Sequence, residues 1–125
     1  MESCAVKSQG VLLVDDQPEC LDLWESLLEG SEAFHIAGRA GNGAEAVELL
    51  QRTDAQVAVL DVNMPGMTGF EAARRMLALQ PGLRVVLVSA ADEPDYAAIA
   101  SEVGAVGFVA KRDLSVAVLR RLAAV

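Results

Sequence analysis

Aromatic side chains are scarce in this sequence: three Phe, one Tyr and one Trp make up 4% of its 125 residues. The interior therefore has to be assembled from Val, Leu, Ala and Ile. Histidine is scarcer still. His35 stands alone with no triad partner near it, so it reads as a structural or surface residue rather than a catalytic base. The two cysteines, Cys4 and Cys20, have no framework spacing and no His or Cys close enough to complete a metal site, so they read as free thiols of a reducing compartment. Basic residues are outnumbered, 10 Lys and Arg against 18 Asp and Glu, giving a formal net charge of −8. Such a field repels phosphate backbones and anionic lipid, which argues against nucleic-acid binding by this domain alone. No apolar run approaches the roughly 20 residues of a membrane span. Met1 to Gly10 also lacks the long apolar core of a secretory signal. The expectation is a cytoplasmic domain without membrane contact.

What the chain does have is apolar content, 53% of residues, in a length suited to one core. One domain is expected over residues 1–125, with residues 1–10 as an N-terminal tail. Val11 to Val14 is an uninterrupted apolar run of the kind that suits a strand buried on both faces. Similar runs recur at Val57 to Leu60 and Val85 to Val88, and Phe34 to Ala37 (with Gly38 near its end) and Val106 to Ala110 read as further strands. Between them lie helical periodicities: Leu21, Trp24, Leu27 and Leu28 after Pro18; Ala46, Val47 and Leu50 after a capping Asn42; Ala73, Met76 and Leu77 from about Gly69; Tyr96, Ile99, Ala100 and Val103 up to Gly104; and finally Leu114, Val118 and Leu122. Five strands alternating with five helices imply a parallel sheet covered on both faces.

In such sheets functional groups collect at the carboxyl ends of the strands. The residues just past four of the runs are Asp15 and Asp16, Asp61, Ser89 and Lys111. Adjacent carboxylates repel, at a cost on the order of 4 kcal/mol per pair at intermediate dielectric, unless a cation sits among them. Magnesium, a hard cation that takes oxygen ligands and keeps several waters, suits two or three carboxylates at one strand edge. A carboxylate is also a competent nucleophile toward phosphorus. The metal, the Lys111 ammonium and the Ser89 hydroxyl would then face the oxygens of a phosphoryl group.

These residues resemble the response-regulator receiver domains of two-component signalling. The resemblance is carried by Asp15–Asp16, the segment from Asp61 to Gly69 (DVNMPGMTG), Ser89–Ala90, and the run from Gly104 to Lys111, and it spans essentially the whole chain. It implies a flavodoxin-like, doubly wound α/β fold with a five-stranded parallel sheet in the order 2-1-3-4-5. It also implies that Asp61 is phosphorylated by a sensor histidine kinase or phosphotransfer protein. By the same resemblance Asp15, Asp16, Asp61 and the Asn63 carbonyl hold Mg²⁺, Ser89 and Lys111 contact the phosphoryl group, and Phe108 is an aromatic switch that follows Ser89. The family leaves room for a homodimer on phosphorylation.

Two features depart from the common pattern. Lys111 is followed by Arg112 where many receivers have proline, so a trans bond is expected there, since cis before a non-proline residue costs about 3–4 kcal/mol. The loop from Lys111 to Asp113 should rearrange, with Asp113 capping a last helix that Leu114 begins. The final segment is more similar to receivers that precede a LuxR-type helix-turn-helix, and is compatible with both a free-standing receiver and one part of a longer regulator.

Taken singly, each residue has a plainer reading. Asp15 and Asp16 would serve as helix caps, Ser89 as a turn residue, Lys111 as a solvated charge, Phe108 as core, and Trp24, Met64 and Met67 as packing. Their coincidence at four strand ends outweighs those readings. A phosphatase of the haloacid dehalogenase type would need an aspartate two residues after the nucleophile, where Asn63 stands, and a nucleotide-binding fold would need a glycine-rich loop where Asp-Asp-Gln-Pro follows the first strand. A degenerate, binding-only receiver would not need the full set of Asp15, Asp16, Asp61, Ser89 and Lys111.

Overall fold

Each expected strand forms, and in β1, β3 and β4 the side chains alternate between two apolar layers. The structure, a computed structural model, describes residues 8–91 and 93–123. The strands are β1 (Gln9–Val14), β2 (Phe34–Ala40), β3 (Ala55–Asp61), β4 (Arg84–Ser89) and β5 (Gly107–Ala110). They form one parallel sheet in the order β2-β1-β3-β4-β5. The helices are α1 (Pro18–Leu28), α2 (Gly43–Leu50), α3 (Gly69–Leu79), α4 (Tyr96–Val103) and α5 (Val116–Ala123), with a short 3-10 turn at Lys111–Asp113.

Leu12, Val14, Ala58, Leu60, Val85 and Leu87 point into a layer closed by α2, α3 and α4. Val11, Leu13, Val57, Val59, Val86 and Val88 point into the other, closed by α1 and α5. Burial on both faces explains why the strands read as unbroken apolar runs instead of alternating ones. Each fully buried Val or Leu contributes about 1.5–3 kcal/mol, so these layers are what hold the strand ends in register. That register places Val14 beside Leu60, Asp61 beside Val88, and Ser89 beside Ala110.

Local chemistry sets the helix starts. Asn42 Oδ1 accepts from the Glu45 amide at 2.8 Å, and Thr68 Oγ1 accepts from the Glu71 amide at 3.2 Å. Pro18 opens α1, and Gly104, at φ 96°, closes α4.

Several boundaries differ from expectation. Gln9 and Gly10, placed in a tail, pair with Phe34 and His35 and belong to β1. Residues 1–7 of that tail, including Cys4, lie outside the described residues. β2 does not end near Gly38 but runs through it. Gly38 is there for packing, because a Cβ would come within 2.7 Å of the Leu49 side chain. Val106 precedes β5, although its amide already bonds to the Val85 carbonyl at 2.8 Å. The last helix is capped by Ser115, whose Oγ accepts from the Val118 amide at 3.1 Å, and not by Asp113. The intervening 3-10 turn takes up Asp113 and leaves Leu114 ahead of the helix. No peptide bond among the described residues is cis.

Candidate functional site

The sheet's carboxyl edge collects the polar residues that end the strands. Asp15 follows β1, and its amide still bonds to the Ala40 carbonyl at 3.1 Å, so strand pairing fixes it. It is fully buried. Its Oδ1 accepts from the Gln17 amide at 2.9 Å. Its Oδ2 lies 2.7 Å from Lys111 Nζ, yet out of hydrogen-bond alignment, and it has no other partner. Asp61, the last residue of β3, is also buried. Its Oδ1 accepts from the Asn63 amide at 3.3 Å, and its Oδ2 stands 3.4 Å from Lys111 Nζ. Asp16 is exposed, yet one oxygen from each of Asp15, Asp16 and Asp61 lies within 4.8 Å of the others.

One ammonium thus pairs with two of the three carboxylates. Burial raises the Asp61 pKa above the ordinary aspartate value, and the charge of Asp15 adds to the rise, against the opposing pull of Lys111. Burial draws the Lys111 pKa down, but the Asp15 carboxylate 2.7 Å away and the charge of Asp61 outweigh it, so the net shift is upward. Asp15 Oδ2, fully buried and without a hydrogen bond beyond its ion pair with Lys111, and the surplus of negative charge fit a hard divalent cation such as Mg²⁺, which takes carboxylate oxygens.

The opposite flank is neutral. Ser89, fully buried at the end of β4, has an Oγ that accepts from the Asn63 side-chain amide at 3.2 Å and from the Ala91 amide at 3.0 Å. Phe108 on β5 is half-buried and packs edge-on against Tyr96, with ring centroids 5.7 Å apart. Between the flanks, the turn through Pro65 and Gly66 (φ 81°) leads to Gly69. A Cβ at Gly69 would sit 2.3 Å from the Asp61 carbonyl oxygen, so only glycine lets α3 start this close to the end of β3.

The structure therefore brings Asp15, Asp16, Asp61, Asn63, Ser89 and Lys111 to one edge, while Phe108 lies further back on β5, beside Leu87. Three neighbours were not read from the sequence as parts of this site. Cys20 Sγ accepts from Lys111 Nζ at 3.6 Å, and the Trp24 ring centroid is 5.7 Å from the same ammonium. Burial, then Asp15, push the Cys20 thiol's pKa up, so the thiol stays protonated. Tyr96 donates its hydroxyl to Asn63 Oδ1 at 3.4 Å. The available signal for the first two was their spacing of four on α1, which puts both on one helix face beside the strand that Asp15 follows. No comparable signal marked Tyr96.

The response regulator receiver domain family matches residues 11–122. Response regulator GacA of Pseudomonas aeruginosa is 32% identical over 101 residues, which is 81% of this chain and 47% of that protein. The signal receiver domain of the response regulator NarL from Mycobacterium tuberculosis superposes with a TM-score of 0.82 at 33% identity, over 93% of this chain and 97% of that one. A CheY from Borrelia burgdorferi, solved with CheX, BeF₃ and Mg²⁺, superposes with a TM-score of 0.81 at 26% identity, over 93% of this chain and 87% of that one. The chain spans between 31% and 49% of the first curated relatives it matches.

Proposed function

The chain belongs to the response regulator receiver domain family, whose general function is to accept a phosphoryl group on an aspartate, and on that premise we propose that Asp61 is the acceptor. The observation that carries this reading is the position of Asp61. It is the one carboxylate that both ends a central strand and shares Lys111 with a second buried carboxylate. The donor would be a phosphohistidine on a sensor kinase or phosphotransfer protein. A carboxylate oxygen of Asp61 forms the P–O bond as the P–N bond breaks, and the leaving imidazole takes a proton. Lys111, 3.4 Å away, balances the negative charge that arrives on the phosphoryl oxygens. Ser89 presents its hydroxyl from the other side. Asp15, Asp16, Asp61 and the Asn63 carbonyl are the groups that would hold Mg²⁺, which supplies charge neutralisation between an anionic donor and an anionic acceptor.

The switching surface in this reading is formed by α4, β5 and α5, since Ser89 and Lys111 lead directly into those elements, and Phe108 lies within it. Homodimer formation on phosphorylation and a cytoplasmic setting complete the proposal; no helix among the described residues is long and apolar enough to cross a membrane. Ala91, two residues past Ser89, has no polar group to position an attacking water, which favours slow hydrolysis of the aspartyl phosphate. Intact mass after incubation with acetyl phosphate and Mg²⁺ tests the core of the proposal. Wild type should gain one phosphoryl group and Asp61→Asn none. A gain that persists in Asp61→Asn would falsify the assignment.

A further inference from the structure

We propose that Tyr96 is a positioning residue for phosphoryl acceptance, acting through the Asn63 carboxamide on the Ser89 hydroxyl; this rests on the reading of Asp61 as the acceptor. Ser89 Oγ is buried and accepts two hydrogen bonds, from Asn63 Nδ2 at 3.2 Å and from the Ala91 amide at 3.0 Å. A hydroxyl has two acceptor sites and one proton. With both acceptor sites taken, the only hydrogen-bonding capacity left on Ser89 is its O–H donor, which suits an anionic phosphoryl oxygen and disfavours a competing donor.

Asn63 is exposed on the loop after β3, and its carboxamide oxygen accepts from the Tyr96 hydroxyl at 3.4 Å. Tyr96 itself does not drift with solvent. Its ring is held edge-on by Phe70 of α3 at 5.5 Å and by Phe108 of β5 at 5.7 Å, with interplanar angles of 71° and 72°. Three packed rings therefore set where the hydroxyl stands, and the hydroxyl sets which way the carboxamide faces. From Tyr96 to Asn63 to Ser89 each donor points toward the phosphoryl site. In a chain of uniform direction each bond polarises the next, so the hydroxyl of Tyr96 strengthens the donor that Ser89 offers. The same chain runs outward: a change in the partner of Ser89 reaches Tyr96, and with it the contact between α4 and Phe108.

Tyr96→Phe removes the hydroxyl and keeps the ring, so the contacts with Phe70 and Phe108 survive. Labelling by acetyl phosphate with Mg²⁺, followed by intact mass, should slow by about two- to tenfold, the worth of one neutral hydrogen bond. In an Asn63→Ala background the same substitution should change nothing further, because the link it breaks is already gone. A merely structural tyrosine would slow both backgrounds alike, and that result overturns the proposal, as does wild-type labelling by Tyr96→Phe. Tyr96 is the sole tyrosine, so 3-fluorotyrosine incorporated in the full chain gives one ¹⁹F resonance from this position. That resonance should move when beryllofluoride and Mg²⁺ are added. If wild type takes up a phosphoryl group but the resonance stays fixed, Tyr96 is not coupled and the reading of Asp61 stands. If wild type takes up none, both fall together.

Discussion

Asp61 has two unlike flanks. On the side of β1 and α1, a buried Asp15 pairs with a partly buried Lys111, and the cation rests against a thiol and an indole. On the side of β4 and α4, Ser89 and Asn63 are neutral, joined by hydrogen bonds and backed by aromatic rings. Charge in a buried setting is strong and insensitive to small displacements, whereas a hydrogen bond is weak and lost within an ångström. One flank is thus built to supply field, the other to register position. On the proposed reading, a phosphoryl group arriving at Asp61 would meet both.

The comparison breaks most sharply at Lys111. Lys111→Ala leaves Asp15 and Asp61 buried without a cation, and in Mg²⁺-free buffer it should cost about 3–5 kcal/mol in urea unfolding. Added Mg²⁺ should return part of that loss, because a cation bound only by the folded state stabilises it by mass action. Ser89→Ala should cost less, about 1–3 kcal/mol, by stranding the Asn63 and Ala91 N–H donors, and that cost should be indifferent to Mg²⁺. Equal dependence on the metal in both variants would erase the distinction between the flanks.

Smaller effects sharpen it. The Asp61 pKa is raised, so relative to the unfolded chain the fold favours the protonated acid. Without metal, stability should therefore fall as pH rises through the window above the ordinary aspartate value, the reverse of the usual carboxylate trend. Thermal melts of Asp61→Asn should lack that decline. The Lys111 pKa is raised as well, so its contribution is complete below the ordinary lysine value and fades as pH climbs past the raised one. The smallest change in stability is expected for Asp16→Asn. Its side chain is exposed, and melts without metal should move by no more than about 0.5 kcal/mol. The Mg²⁺ concentration for half-maximal labelling should nevertheless rise. Unchanged metal dependence would remove Asp16 from the site.

Much of the fold and of the residue set at the site was legible because buried parallel strands must be apolar throughout, so the first polar residue after each run marks a strand end. Asp15, Asp61, Ser89 and Lys111 were found in that way. The supporting contacts were not legible. Cys20 was read as a free thiol and Trp24 as packing, and nothing in a helical periodicity says that a lysine from another strand will lie across them. Tyr96 looked like one more apolar position on α4, and its hydroxyl finds Asn63 only because Phe70 and Phe108 fix the ring. Gly38 reads from the sequence as lying near the end of its strand, yet β2 runs through it and its missing Cβ admits the Leu49 side chain. Asp113 is a plausible cap by residue type, but the 3-10 turn takes it up and Ser115 caps α5 instead.

The indole beneath Lys111 has a use beyond support. Trp24 is the only tryptophan in the chain and is 2% exposed, so solvent contributes little to the colour and brightness of its emission. The Lys111 ammonium stands 5.7 Å from its ring centroid. Any step that draws that ammonium toward Asp61 changes the electric field across the excited indole. The protein therefore carries a built-in optical gauge of its own lysine, readable in stopped flow without a label.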